Sequence, residues 1–356
     1  MKILSIIGAR PQFIKAAMVS KDLRRQKEVN EIILHTGQHF DDNMSDIFLR
    51  QMKIPPPDYN LGINSKTHGA MTGAMFEGVE NVLLEQKPDW VIVYGDTNST
   101  IAGALAARKL HIKVAHVEAG LRSGNMNMPE EINRILTDRI SNALFCPTDK
   151  AVENLKNEGY DNFECDVLKT GDVMQDAAEY YAQFAEKPKQ EMSEPFILAT
   201  VHRQENTDDK TRLSNIIQAF NEINKETRIV FPMHPRTRKI IKICNLKPEF
   251  EIIDPIGYLQ MLWLLQHCSL VITDSGGLQK EAFFMSKPCV TVRDETEWVE
   301  LVKHGFNHIA GAEKNSIIKA FQKMCNVKPD KNVDLYGSGK AATKIAEYLL
   351  KYYAKF

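Results

Sequence analysis

Apolar and polar positions along this chain fall into two alternating patterns. Short runs rich in β-branched residues are separated by longer segments whose apolar residues recur at helical spacing. The spacing predicts strands at Lys2–Gly8, Glu31–Thr36, Trp90–Gly95, Ile112–Val117, Ala143–Cys146 and Asp166–Thr170. A second series is expected at Pro195–Val201, Arg228–Met233, Glu251–Ile253, Leu270–Thr273, Cys289–Val292 and His308–Ala310. Runs such as Trp90-Val91-Ile92-Val93-Tyr94 are apolar on both faces, as strands are in the middle of a parallel sheet covered by helices. Alternation of strand and helix indicates an α/β, doubly wound architecture. The polar segment Phe184–Pro195, with two prolines, divides the two series and reads as a linker. Two Rossmann-like domains with a cleft between them are therefore expected, residues 1–180 and 181–336. The tail 337–356 reads as a helix after the turn Tyr336-Gly337-Ser338-Gly339, with Ile345, Tyr348, Leu349 and Tyr352 on one face.

Composition narrows the function classes. The length of 356 residues suits two domains, and 43% hydrophobic with 26% charged residues is an ordinary globular balance. Lys+Arg number 45 against 46 Asp+Glu, a net charge of -1, which disfavours a nucleic-acid partner. No apolar run approaches the ~18–20 residues that span a bilayer, so no membrane partner is expected. Met1-Lys2-Ile3-Leu4 leads straight into a core strand without a signal peptide, which makes the cytoplasm the expected compartment. The six cysteines form no CxxC pair, and Cys146, Cys244, Cys268 and Cys289 sit in or beside apolar runs. They read as reduced core residues, and no metal site is expected.

In doubly wound sheets ligands bind beyond the carboxyl ends of the strands, so the residues after each strand matter most. The first strand ends in Gly8-Ala9-Arg10-Pro11-Gln12-Phe13-Ile14-Lys15, a glycine turn into a helix whose first amides suit an anion, with Arg10 and Lys15 adding charge. No GxGxxG occurs, so a nicotinamide cofactor is not indicated. Asp96, in Gly95-Asp96-Thr97-Asn98-Ser99-Thr100, either caps the following helix or presents a catalytic carboxylate. Glu118, in His116-Val117-Glu118-Ala119-Gly120-Leu121-Arg122, follows the next apolar strand, and His116 reads foremost as a satisfied core histidine. Glu130 is either half of a capping box with Asn127 or a third carboxylate, and it is spaced i,i+4 from Arg134. Two or three acids at one cleft suit general acid–base work. In the second half, His202-Arg203 and His234-Pro235-Arg236 follow strands. Thr273-Asp274-Ser275-Gly276-Gly277-Leu278-Gln279-Lys280-Glu281 reads as a phosphate cradle of amides and a hydroxyl, with Glu281 one turn on, at a reach suited to ribose.

Together these stretches resemble the non-hydrolysing UDP-N-acetylglucosamine 2-epimerase family. GARPQFIK, HTGQH, GDTNST, HVEAGLR, MPEEINR, HRQEN, DSGGLQKEA and RDETEW occur in that order, with YGSGKA near the end, so the resemblance covers essentially the whole chain. It implies a glycosyltransferase-B-like fold, a C-terminal helix crossing back to the first domain, a homodimer, and no cofactor or metal. The implied reaction inverts C2 of a UDP-sugar through a glycal and bound UDP. Asp96, Glu118 and Glu130 are the implied acid–base set, without an assignment of roles. Arg10, Lys15, His202 and the Ser275, Gly276 and Gly277 amides would stabilise departing UDP. His202 and Arg134 would hold phosphate or sugar, Glu281 the ribose, and His234 and Tyr258 the nucleotide side.

The departures are informative. The common UDP-GlcNAc enzymes have TRPE where Ala9-Arg10-Pro11-Gln12 stands, and an Arg where Trp298 follows Glu297. GARPQFIKAA, HTGQHFD and RDETEWVELV look more like the branch acting on UDP-2,3-diacetamido-2,3-dideoxyglucuronate. Regulated bacterial members bind a second UDP-GlcNAc near QHR and HRRE. Gln38-His39-Phe40 and His202-Arg203-Gln204-Glu205 lack those arginines. A retaining UDP-dependent glycosyltransferase shares the fold but does not need three acids beside C2. A hydrolysing 2-epimerase would release free sugar, and a non-catalytic sensor would be weakened by acids beside a pyrophosphate.

Overall fold

The apolar runs become the inner strands of two parallel sheets. A computed structural model describes residues 1–38, 55–190, 194–330 and 333–353. The first sheet holds β1 (Lys2–Ile7), β2 (Asn30–His35), β3 (Tyr59–Asn60), β4 (Trp90–Tyr94), β5 (Lys113–Val117), β6 (Ala143–Cys146) and β7 (Asp166–Lys169), in the order β3-β2-β1-β4-β5-β6-β7. The second holds β8 (Ile197–Thr200), β9 (Ile229–Pro232), β10 (Glu251–Ile253), β11 (Leu270–Thr273), β12 (Cys289–Thr291) and β13 (Asn307–Ile309), in the order β10-β9-β8-β11-β12-β13. Neighbours pair in parallel, with Ser5 beside Ile92 and Ile272 beside Ala199. Both orders reverse next to their first strand, between β1 and β4 and between β8 and β11, the doubly wound Rossmann arrangement. The strands expected from sequence are present; β3, a two-residue edge strand, was not anticipated.

Helices cover the sheets because their apolar stripes have nowhere else to go. Leu4, Ile6, Ile32, Leu34, Val91 and Val93 pack with Val79, Val82 and Leu83 of the helix His68–Gln86. In the second unit Ile197, Phe231, Leu270 and Ile272 pack with Leu213, Ile216 and Phe220 of the helix Lys210–Asn224. The helix Asn98–Lys109 lies especially close to the first sheet: a Cβ on Gly103 would stand 2.6 Å from Ile6 Cδ1. Cys146, Cys268 and Cys289 are buried, and burial pushes the Cys268 thiol up to about 12. Cys244, expected in the core, is only partly covered.

The chain divides into Met1–Ala177 with Asp334–Phe356, and Ala178–Val333. The first junction falls within the helix Val173–Ala182, not in the polar segment 184–195. The reason is local anchoring: Glu186 N–H donates to Leu259 O (3.2 Å), Gln266 Nε2 to Ala182 O (3.0 Å), and Tyr181 lies edge-on to Tyr258. Those contacts draw residues 181–186 into the second unit.

The last helix, Ala341–Tyr353, belongs to the first unit. Asp176 caps it through the N–H groups of Ala341 (3.1 Å) and Ala342 (2.7 Å). Tyr348 and Tyr352 meet Phe145 and Trp90 edge-on, and Lys113 sits over the Tyr352 ring. Asp172 N–H donates to Tyr336 O (2.7 Å), and a Cβ on Gly171 (φ +97) would meet that carbonyl at 2.4 Å, so this crossing point requires glycine.

Candidate active site

At the switch point of the first sheet, Gly8 must be glycine: a Cβ there would lie 2.1 Å from Thr36 Oγ1 and 2.2 Å from Ser99 Oγ. Two amides of the turn expected to meet an anion are already bonded. Gln12 Oε1 accepts from Gly8 N–H (2.7 Å) and Ala9 N–H (3.0 Å). Gln12 Nε2 donates to Tyr94 O (2.8 Å), so one side chain ties the ends of β1 and β4 and occupies those amides. The side chain of Arg10 lies outside the described residues, as do His39 and Phe40.

Asp96 does not cap the next helix. Thr97 does, its hydroxyl accepting from Thr100 N–H. The Asp96 carboxylate instead takes a forked pair of bonds from Arg134, Nη2 at 2.5 Å and Nε at 3.1 Å. Asn133 Nδ2 holds the Asp96 carbonyl at 3.0 Å. Glu118 is ion-paired with Lys15 and sits at φ +72, a left-handed conformation costly for a residue with a long side chain. Asp96 and Glu118 thus leave the carboxyl ends of adjacent strands, each already matched to a cation. Lys15 and Arg134, expected on phosphate or sugar, are engaged in this state by these carboxylates.

The helix Pro129–Ile140 organises this edge. Asn127 is not its cap: Met128 stands at that position without a side-chain bond, so no capping box with Glu130 forms. Glu130 is partly exposed at the helix start. Arg134 pairs not with Glu130 but with Glu131 (3.0 Å), which also accepts from the N–H groups of Ser123 and Gly124. The helix is inside out: Glu131, Arg134, Thr137 and Asp138 are buried, while Ile132 and Leu136 are 41% and 49% exposed. Burying charge costs heavily unless it is paired, so such a face calls for a positional reason. His116 is the satisfied core histidine expected, fully buried between Asp138 and the Gly95 carbonyl.

At the switch point of the second sheet, Asp274 is fully buried and gathers the turn after β8. It accepts from His202 N–H (3.0 Å), Arg203 N–H (2.9 Å) and Asn206 Nδ2 (3.2 Å). Ser275 caps the helix Gly276–Phe284, and the amides of Gly276 and Gly277 are first-turn donors without partners inside the helix. A Cβ on Gly276 would lie 3.6 Å from both Arg203 Nη2 and Trp298 Nε1 and 3.7 Å from Glu297 Oε2, so these three groups converge on the turn. His202 and His234 come together, ring centroids 5.7 Å apart. Glu281 follows one turn into the helix and is buried. Tyr258 differs from these: its ring is buried against Tyr181.

The UDP-N-acetylglucosamine 2-epimerase family model matches residues 21–350. The UDP-2,3-diacetamido-2,3-dideoxy-D-glucuronate 2-epimerase of Pseudomonas aeruginosa is 57% identical over 99% of this chain and 100% of its own length. This chain belongs to the UDP-N-acetylglucosamine 2-epimerase family. Two solved family structures share its fold. The Methanocaldococcus jannaschii UDP-GlcNAc 2-epimerase in complex with UDP-GlcNAc and UDP has TM-score 0.91 and 43% identity, covering 99% of this chain and 100% of that one. The Neisseria meningitidis enzyme bound to UDP-GlcNAc has TM-score 0.87 and 32% identity, with coverage of 99% and 100%. The fold is therefore glycosyltransferase-B-like, as the sequence motifs imply.

In this family member, residues that motif reading passed over shape both edges: Gln12, Glu131, Asp138, Asp274 and Arg293. A signal existed for the helix residues, since Glu131, Arg134 and Asp138 recur at i, i+3, i+7. Arg293 is buried between Glu205 (3.2 Å) and Glu297 (3.0 Å), linking HRQEN to RDETEW. Burial works to raise the Glu297 carboxyl, but Arg293, a backbone N–H and Arg203 together outweigh it and leave that carboxyl below its ordinary value. A depressed folded pKa means stability that is present above the ordinary carboxylate value of about 4.3 and is lost as pH falls through the folded value. The Glu297→Gln variant is expected to start less stable at pH 7 and to show a shallower loss of Tm below about pH 4. Scanning calorimetry across pH checks this, and parallel acid limbs would contradict it. Lys280 is buried with its Nζ 4.0 Å over the Trp298 ring, so Trp298 forms a cation–π contact.

Proposed function

We propose that this chain inverts C2 of a UDP-2-acetamido sugar by eliminating and re-adding UDP, without hydrolysis, and that the 2,3-diacetamido-glucuronate sugar is its preferred substrate. The observation that carries the reading is the pair Asp96 and Glu118 at adjacent strand ends, each held by a cation, in a chain 57% identical along its whole length to an epimerase of that sugar. A carboxylate takes the C2 proton. The C1–O electron pair leaves with UDP, and the C1–C2 double bond of a glycal forms. Re-addition reverses these bonds, and a proton reaches C2 from the opposite face, supplied by a second acid. Asp96, Glu118 and Glu130 are the candidates for these transfers. His202, Arg10 and the amides of Gly276 and Gly277 are assigned to the diphosphate, whose charge grows as the bond breaks; the Ser275 N–H, also expected there, is taken by Thr273 Oγ1 (2.9 Å). Glu281 is assigned to the ribose and His234 to the nucleotide side.

The reading includes a homodimer. Leu84, Leu105 and Leu136 are exposed at 54%, 37% and 49% on three helices that pack consecutively on one another, and exposed apolar side chains of this kind suit a second copy. It also includes a cytoplasmic setting, in keeping with a nucleotide substrate and free cysteines. No helix among the described residues is long and apolar enough to cross a membrane.

Proton NMR in D2O tests the activity, with UDP-GlcNAc and with the diacetamido uronate. Deuterium entering C2 together with the C2 epimer is expected, faster on the uronate. Faster turnover of UDP-GlcNAc would correct the substrate. Accumulation of free sugar and UDP would mean hydrolysis, and no exchange on either sugar would overturn the epimerase reading.

A further inference from the structure

Both peptide units flanking the proposed acid–base pair are held by one buried dyad. Gly95, immediately before Asp96, has its N–H bonded to Val117 O (3.0 Å) and its carbonyl bonded by His116 Nε2–H (2.7 Å). Gly120, two residues after Glu118, donates its N–H to Asp138 Oδ2 (3.1 Å). Asp138 Oδ1 meets His116 Nδ1 at 2.7 Å, which closes the path from one glycine to the other. Arg122 completes it, donating Nη1 to Asp138 Oδ2 (2.7 Å) while its other nitrogens fork onto Glu158. His116 and Asp138 have no exposed surface, so water does not compete for these bonds.

The backbone here needs holding. Gly95, Glu118 and Gly120 all stand at positive φ, +61, +72 and +78. Glycine takes this conformation freely, but Glu118 does not, and a strained residue of this kind persists only where its surroundings over-determine it. Asp138 lies on the same buried helix face as Arg134, which grips the Asp96 side chain, and Glu131, which grips the Ser123–Gly124 amides.

We infer that His116 and Asp138 are positioning residues that fix the separation of Asp96 and Glu118 by pinning the Gly95 carbonyl and the Gly120 N–H. The inference rests on the reading of those two carboxylates as the acid–base pair. Neither His116 nor Asp138 transfers a proton to substrate. What matters is that the Gly95 carbonyl and the Gly120 N–H each keep their partner, so an uncharged group that preserves both should serve. In Asp138→Asn the amide oxygen still accepts from Gly120 N–H, and the amide N–H₂ donates to His116 Nδ1, which reverses that one bond but leaves Nε2–H on the Gly95 carbonyl.

The test uses the full chain and compares His116→Phe, Asp138→Ala and Asp138→Asn, with Asp96→Asn as the reference for the underlying reading. His116→Phe and Asp138→Ala are expected to lower kcat by about 100-fold, the scale of a 1 Å misplacement, with KM within about threefold. Asp138→Asn should recover at least about tenfold of what Asp138→Ala loses. A side chain that merely fills space would not show that recovery. If His116→Phe fails to fold, the Asp138 pair decides the matter alone. His116→Phe at the wild-type kcat, or Asp138→Asn no better than Asp138→Ala, overturns the inference while Asp96→Asn remains impaired. Asp96→Asn at the wild-type rate overturns the acid–base reading and the inference with it.

Discussion

Asp96→Asn and Glu118→Gln are each expected to lower kcat by about 10²–10⁴-fold, the usual contribution of a positioned general acid or base. The substitutions are nearly isosteric. Asn keeps an oxygen for Arg134, and Gln keeps one for Lys15, so the loss reports proton transfer rather than a collapsed edge. The two roles separate in one experiment: initial rates from each C2 epimer in D2O, followed by NMR. The variant lacking the base for a given epimer neither exchanges C2 nor eliminates UDP from it. The variant lacking the opposing acid still eliminates, and bound glycal and UDP accumulate. Turnover within about threefold of wild type in both variants would remove these carboxylates from the reaction.

The second large effect is expected from Asp274→Ala. Asp274 is the shared acceptor for two backbone N–H groups and the Asn206 amide, all at the start of the turn that carries His202 and Arg203. Leaving buried donors unmet costs about 1–3 kcal/mol each, and charge-assisted bonds lie at the upper end. A loss of about 3 kcal/mol is expected, a fall of roughly 6–12 °C in the Tm of a unit this size. Affinity for UDP, measured by calorimetry below that Tm, should fall at least about tenfold, because the His202–Arg203 turn loses its fixed direction toward the Gly276 and Gly277 amides. An unchanged Tm, or unchanged UDP affinity, would show that the turn is held by other means.

The inner strands were legible because both faces of a central parallel strand are buried, so Trp90–Tyr94 and Leu270–Thr273 announce themselves by continuous hydrophobicity. Tyr59–Asn60 has no such signature: an edge strand of two residues is too short to show a periodic pattern. Asp96 and Glu118 were legible from their place after those strands. Their partners were not, since Lys15 is 103 residues from Glu118 and Arg134 is 38 from Asp96. Local patterns also misled where tertiary contacts outweighed them. Asn127 and Glu130 have capping-box spacing, yet the helix starts one residue later, and Gln12 fills the amides that the Gly8 turn offered to an anion. The neighbouring carboxylates Glu130 and Glu131 could be told apart only by the structure, which buries one against backbone amides and leaves the other partly exposed.

The return of the helix Ala341–Tyr353 to the first unit reverses the ordinary order of assembly on the ribosome. Units made first generally fold first during synthesis. Here the first unit lacks the cover for Phe145 and Trp90 until that helix has emerged, by which time residues 178–333 have been translated in full. The unit begun first is therefore the unit finished last. A nascent chain stalled before residue 341 carries a completed second unit and a first unit that still lacks its cover over Phe145 and Trp90.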